Sequence, residues 1–187
     1  MKTVKVDFEK RRPRGPDRAS VKYRLAVVAS SPADVVCAVG GWLYDRVRAG
    51  WDVNVLLPQK CDSRALQLLG IQAADLDSQL LSASTGCAAR GLAVSADMFA
   101  ADVRVRQEVL NALDRWMTEV TLWQDGWPLA VGHRTATVQH VLSAAARAFK
   151  RHALIAAGIS HSVGPTETLR SDMKACLPVE SELIPVG

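Results

Sequence analysis

Arg24-Leu-Ala-Val-Val-Ala-Ser-Ser-Pro-Ala-Asp-Val-Val-Cys-Ala-Val-Gly-Gly-Trp-Leu-Tyr-Asp-Arg-Val-Arg-Ala-Gly-Trp-Asp-Val-Asn-Val-Leu-Leu57 is the stretch on which the fold turns. Arg24 to Ser30 is a continuous apolar run, the pattern of a parallel strand buried on both faces. Ser31 and Pro32 break it. Asp34 is then placed to cap a helix from about Val35 to Ala49, with Val35, Val36, Val39, Leu43 and Val47 at helical spacing. Asp45, Arg46 and Arg48 take the wet side, and Gly50 ends the helix. Asp52 to Leu57 is a second buried strand, stopped by Pro58. Strand, helix and strand in this order make a βαβ unit, whose crossover is right-handed.

The pattern continues outward. Short helices are expected at Ser63 to Leu69, before Gly70, and near Asp75 to Leu81. Ser82 to Gly91 reads as a loop, and Gly91 to Ser95 as a short strand. An amphipathic helix follows from Ala100 to about Met117, with Val103, Val109, Leu110, Leu113 and Trp116 in its stripe. Glu119 to Trp123 is the next strand, Asp125, Gly126 and Pro128 make a turn, and a long helix runs from Thr135 to Ala157. The fold class is α/β: a Rossmann-like, mostly parallel sheet flanked by helices in a single domain over residues 22–163. Residues 164–187, with Pro165, Pro178 and Pro185, read as a C-terminal tail.

Hydrophobic residues make up 49% of the 187 and charged residues 22%, which fits a globular chain and excludes global disorder. The net charge of +4 is unevenly placed. Residues 1–24 hold nine Lys and Arg against Asp7, Glu9 and Asp17, a net of +6, so the rest of the chain carries −2. Residues 1–21 form a basic arm with Pro13, Gly15 and Pro16, too polar to build a core. Arg11, Arg12, Arg14 and Arg18 would meet an acidic partner or nucleic acid, or simply keep the chain soluble. No apolar run is long enough to span a bilayer and the N-terminus has no secretory h-region, so the expected address is cytoplasmic. Cys37, Cys61, Cys87 and Cys176 form no C-x-x-C pair and are expected to stay reduced.

Ligands of open α/β sheets bind at the carboxyl ends of strands. Two loops qualify: Ser30 to Asp34, and Trp123 to His133. Trp127 sits in the second and would stack on a ligand or pack in the core. The chain has no Walker A motif, no G-x-S-x-G elbow and no H-E-x-x-H. Gly40-Gly41 lies inside a helix, so it signals close approach of helix to sheet rather than a dinucleotide fingerprint.

The run from Ser30 to Leu43, followed by Arg48-Ala-Gly-Trp-Asp-Val-Asn-Val55, resembles the opening of the LmbE-like (PIG-L) N-acetyl sugar deacetylases. That family opens with Ala-His-Pro-Asp-Asp-Glu, a later Gly-Gly pair and a Gly before the next strand. The resemblance continues in Ala65 to Ile71, in Glu119 to Trp123, and in Gly132-His133, where the family carries Gly-His-Pro-Asp-His. It implies a zinc site built from the first His, the second Asp and the last His, with the first Asp as general base. In this chain those positions hold Ser31, Asp34, Ala136 and Ala33 in turn, Val35 replaces the Glu, and His133 matches the oxyanion-stabilising His.

Catalytic zinc needs about three protein ligands and a base for its water. Ser31 ligates poorly at neutral pH and Ala33 accepts no proton. The expectation is therefore a deacetylase-like protein that binds or assembles rather than catalyses, with no cofactor. Its pocket would contain Ser31, Asp34, Trp127 and His133, the last being the one catalytic candidate. Two other readings stay open. A metal-dependent N-acetyl amidohydrolase would use a rearranged zinc site of Asp34, His133 and His140, the two histidines sharing a helix face. A basic-arm adaptor would bind nucleic acid or an acidic partner. Asp34 also has a plain structural explanation, since a helix cap contributes about 1 kcal/mol.

Overall fold

The computed structural model describes residues 23–78, 91–115, 118–172 and 183–186. The basic arm with its four arginines, most of the Ser82–Gly91 loop, Trp116, Cys87 and Cys176 lie outside the described residues. The strands are β1 (Arg24–Val28), β2 (Asp52–Leu57), β3 (Gln72–Asp75), β4 (Gly91–Ser95), β5 (Glu119–Trp123), β6 (Ala136–Val141), β7 (Thr166–Ser171) and β8 (Leu183–Pro185). The helices are α1 (Pro32–Arg48), α2 (Arg64–Leu68), α3 (Ala96–Ala101), α4 (Val103–Asp114), α5 (Leu129–Gly132) and α6 (Ala144–Ala156). They form one α/β domain around a single eight-stranded sheet in the order β3-β2-β1-β4-β5-β7-β6-β8. The first five strands of that order are mutually parallel, and β7, β6 and β8 continue it with antiparallel pairings.

Two-sided burial explains the apolar runs. Leu25, Val27, Val53 and Val55 face α1, α2 and α6, packing on Val35, Val39, Leu43, Leu66 and Leu154. Val28, Leu56, Leu92, Val94, Val120 and Leu122 face the other side, against Phe99, Val105, Val109 and Leu113 of α3 and α4. Each buried side chain of this size contributes about 1.5–3 kcal/mol of transfer free energy. Among the described residues no helix is long and apolar enough to cross a membrane.

The βαβ unit forms as its sequence predicts, with one change at the start of α1. Ser31, not Asp34, is the cap: its Oγ accepts from the Asp34 N–H at 3.2 Å, and Asp34 lies in the first turn. Gly50, at φ +92°, takes the left-handed turn past the helix end. Arg46 is not on the wet side. It is 6% exposed, bonds Glu119 at 2.9 Å and lies over the rings of Trp51 and Trp42. Its aromatic neighbours accept a delocalised cation that water would otherwise solvate.

Larger corrections come later in the chain. Gln72–Asp75 is an edge strand pairing with β2, where only a helix near Asp75 is expected. The amphipathic helix breaks at Asp102, whose carboxylate caps α4, and Val103 is 69% exposed rather than part of the apolar stripe. The long helix from Thr135 does not exist. Residues 136–141 form β6, with Val138 and His140 buried and Thr137, Gln139 and Val141 turned away, a period of two. Ser143 then caps α6. The segment expected as a tail supplies β7, which lies inside the sheet between β5 and β6, and the edge strand β8.

β7 also anchors α1. The Glu167 carboxylate accepts from the Gly41 and Trp42 N–H groups at 2.9 and 2.8 Å and pairs with Lys150 of α6. Lys150 Nζ in turn donates to the Cys37 carbonyl at 2.7 Å. A buried ion pair thus inserts where the Gly41 N–H would ordinarily meet the Cys37 carbonyl. A Cβ at Gly41 would come within 2.5 Å of the Leu142 side chain and 3.0 Å of Glu167 Oε1. The close approach expected of Gly40-Gly41 is real, and Gly41 is the residue that requires it.

Candidate ligand crevice

The sheet has a switch point. From β1 the chain passes to α1 on one face and on to β2. From β4, the neighbour of β1 on its other side, it passes to α3 and α4 on the opposite face. The two exits diverge at the carboxyl ends of β1 and β4, where open sheets of this kind have their ligand crevice.

Three elements deliver polar groups there. Asp34 comes from the first turn of α1, held by the Ser31 cap. Asp97 comes from the first turn of α3, just after β4. Trp123 and Gln124 come from the end of β5. Asp34 Oδ1 accepts from Trp123 Nε1 at 3.1 Å and from Gln124 Nε2 at 3.0 Å. The same Gln124 nitrogen donates to Asp97 Oδ2 at 3.3 Å, and Gln124 Oε1 accepts from the Asp97 N–H at 3.2 Å. Asp34 Oδ2 is buried and makes no hydrogen bond of ordinary geometry to another described residue. Burial pushes the Asp34 carboxyl up. The Trp123 bond opposes that, the Asp97 charge adds to it, and the bonds to Gln124 and the Ser30 backbone oppose it again.

The sequence candidates divide. Ser31 and Asp34 are joined directly, but the Ser31 hydroxyl is spent on capping. Trp127 stands at the rim: its Nε1 donates to the Gln124 carbonyl at 3.0 Å and its ring tilts against Phe99 at 5.1 Å. His133 is exposed at the end of α5, and no hydrogen bond joins its side chain to another described residue. His140 belongs elsewhere. Its Nε2 lies 2.9 Å from Asp45 Oδ2, and Asp45 also accepts from the Ser143 N–H and hydroxyl. Asp45 is eleven residues along α1 from Asp34, about 16 Å of helix. With 136–141 a strand, the shared helix face that would aim His133 and His140 at one metal is absent.

Sequence reasoning missed Asp97 and Gln124. Both immediately follow strands that it placed correctly, β4 and β5, so the rule of carboxyl ends could have found them.

The residues present do not fit zinc. Around Asp34 Oδ1 stand two N–H donors, which turn hydrogens rather than lone pairs toward any cation. No group of three His, Cys, Asp or Glu among the described residues could hold a metal ion. Ala33 and Ala136, which the sequence resemblance matches to the base and the last ligand, carry no donor atom in their side chains, and Ala136 opens β6, away from the crevice.

The whole fold has known parallels. The structure resembles that of a deacetylase–teicoplanin complex in the biosynthesis pathway of teicoplanin, with 13% identity, 79% of this chain and 97% of that chain covered, and a TM-score of 0.55. It also resembles the zinc-inhibited form of teicoplanin deacetylase, with 11% identity, the same coverage and a TM-score of 0.56. At this identity the likeness is one of fold. No protein-family profile and no curated relative matches the sequence.

Proposed function

We propose that this protein is a deacetylase-fold binding or assembly module that no longer catalyses. One observation carries the reading: the crevice carboxylate that matches a zinc ligand of the LmbE-like enzymes, Asp34, is bound instead by the Trp123 and Gln124 N–H groups. The residue types support it. Ser31 is committed to capping α1, Ala33 cannot take a proton, and Ala136 cannot ligate. His133 by itself, exposed and with its side chain unbonded among the described residues, could steady an oxyanion but generates no nucleophile.

The test is zinc content in protein purified without chelators, paired with an N-acetyl sugar hydrolysis assay. Zinc well below stoichiometric and hydrolysis no faster than buffer are expected. Stoichiometric zinc with turnover that Asp34→Asn abolishes would replace this reading with an active amidohydrolase.

A further inference from the structure

We infer that Gln124 is an internal stand-in for a cation: its carboxamide nitrogen bridges the Asp34 and Asp97 carboxylates and closes the crevice between β1 and β4. The inference rests on the non-catalytic reading and says what took the metal's place.

The orientation of the amide follows from chemistry. An amide side chain can usually be turned either way, because its oxygen and nitrogen look alike. Here the Asp97 backbone N–H can only donate, so the atom facing it must be the oxygen. The two carboxylates carry lone pairs and no hydrogen when ionised, so the atom between them must be the NH2 group. One nitrogen with two hydrogens serves two anions. A bridging hard cation would have the same neighbours.

The backbone points the same way. Gln124 has φ +68°, and among the described residues it is the only non-glycine at positive φ. Such a position favours glycine, which occupies it without strain. Gly126, two residues on at φ +90°, meets the same backbone constraint with a glycine. A glutamine persists in a strained conformation where its surroundings over-determine it. Four hydrogen bonds hold Gln124: two donated by Nε2, one accepted by Oε1, and one accepted by its carbonyl from Trp127. Three of the four use the side chain, so the side chain is what the position keeps.

The bridge also joins elements remote in sequence. Gln124 is 90 residues from Asp34 and 27 from Asp97. It ties the exits of β1, β4 and β5 together over the place where a ligand would enter. A ligand that reached the Asp34 carboxylate would have to displace this amide.

Thermal melting of the full chain in EDTA and in excess Mn2+ tests the inference, comparing wild type with Gln124→Glu and Gln124→Gly. Gln124→Glu puts a third carboxylate between two, so its midpoint should fall in EDTA and rise by at least about 3 °C on adding Mn2+. Gln124→Gly removes the bridge without adding charge and keeps a conformation glycine prefers. It too should gain a Mn2+ response, which covers the case in which Gln124→Glu fails to fold. Adding Asp34→Asn to either variant should abolish the response, and wild type should show none. The inference is overturned if neither folded variant responds to Mn2+, or if the response survives Asp34→Asn. A wild-type midpoint raised by zinc through Asp34 would instead defeat the non-catalytic reading, so the two failures are told apart.

Discussion

Asp34 shows how its neighbours set what a carboxylate can do. Its carboxylate is partly buried, with one oxygen shared by two N–H donors and the other buried without a hydrogen-bond partner of ordinary geometry among the described residues. A buried acceptor left unsatisfied is unfavourable, and burial raises the carboxyl pKa above its ordinary 3.8. The linkage sign follows. The folded chain holds this proton more tightly than the unfolded chain, so the Asp34 contribution is fully present below the ordinary value. It is lost as pH rises through the raised folded value. Asp34→Asn cannot ionise and still offers an oxygen to Trp123 and Gln124. Relative to wild type it should therefore gain stability as pH rises across the carboxylate range, in urea unfolding at a series of pH values. A stability gap that stays flat or shrinks with rising pH would show that Asp34 is not held this way.

Among the elements, α1 depends most on parts of the chain far away. Its middle turn gives two N–H groups to Glu167 of β7 and one carbonyl to Lys150 of α6. Lys150 is 5% exposed and Glu167 likewise 5%, so the pair is buried. Removing one partner of such a pair leaves an uncompensated charge. Lys150→Met should cost about 3–5 kcal/mol in denaturant unfolding. A loss under about 1 kcal/mol, the range of solvent-screened pairs, would mean that water reaches Glu167. What could be read in advance follows from locality. The strands β1 and β2 and the helix between them are legible because two-sided burial and 3.6-residue periodicity are written in consecutive residues. β6 is not, because Ala136 to Val141 sits beside the Ala-rich α6, and its alternation of buried Val138 and His140 has a meaning only once β7 and β8 lie beside it. β7 and β8 were hidden for the same reason, since their strand character comes from antiparallel partners rather than from strong apolar runs. The crevice was half legible: Ser31 and Asp34 stand in a local motif, whereas Asp97 and Gln124 join it only through the sheet order.

At the scale of the whole molecule, a sheet whose switch point opens between β1 and β4 offers a ligand place regardless of what lines it. The teicoplanin deacetylases share the overall fold at 11–14% identity, which leaves the chemistry of this chain to its own side chains. Here the lining is one carboxylate bound by N–H groups and a second tied to it by Gln124. The proposed non-catalytic reading stands on hydrogen-bond donors, rather than a metal, meeting Asp34. Crystals soaked in zinc and measured at the zinc absorption edge test it directly. The prediction is no anomalous peak within about 2.2 Å of either Asp34 oxygen, with the Gln124 nitrogen still between Asp34 and Asp97. A zinc ion coordinated by Asp34, with Gln124 swung away, would contradict it.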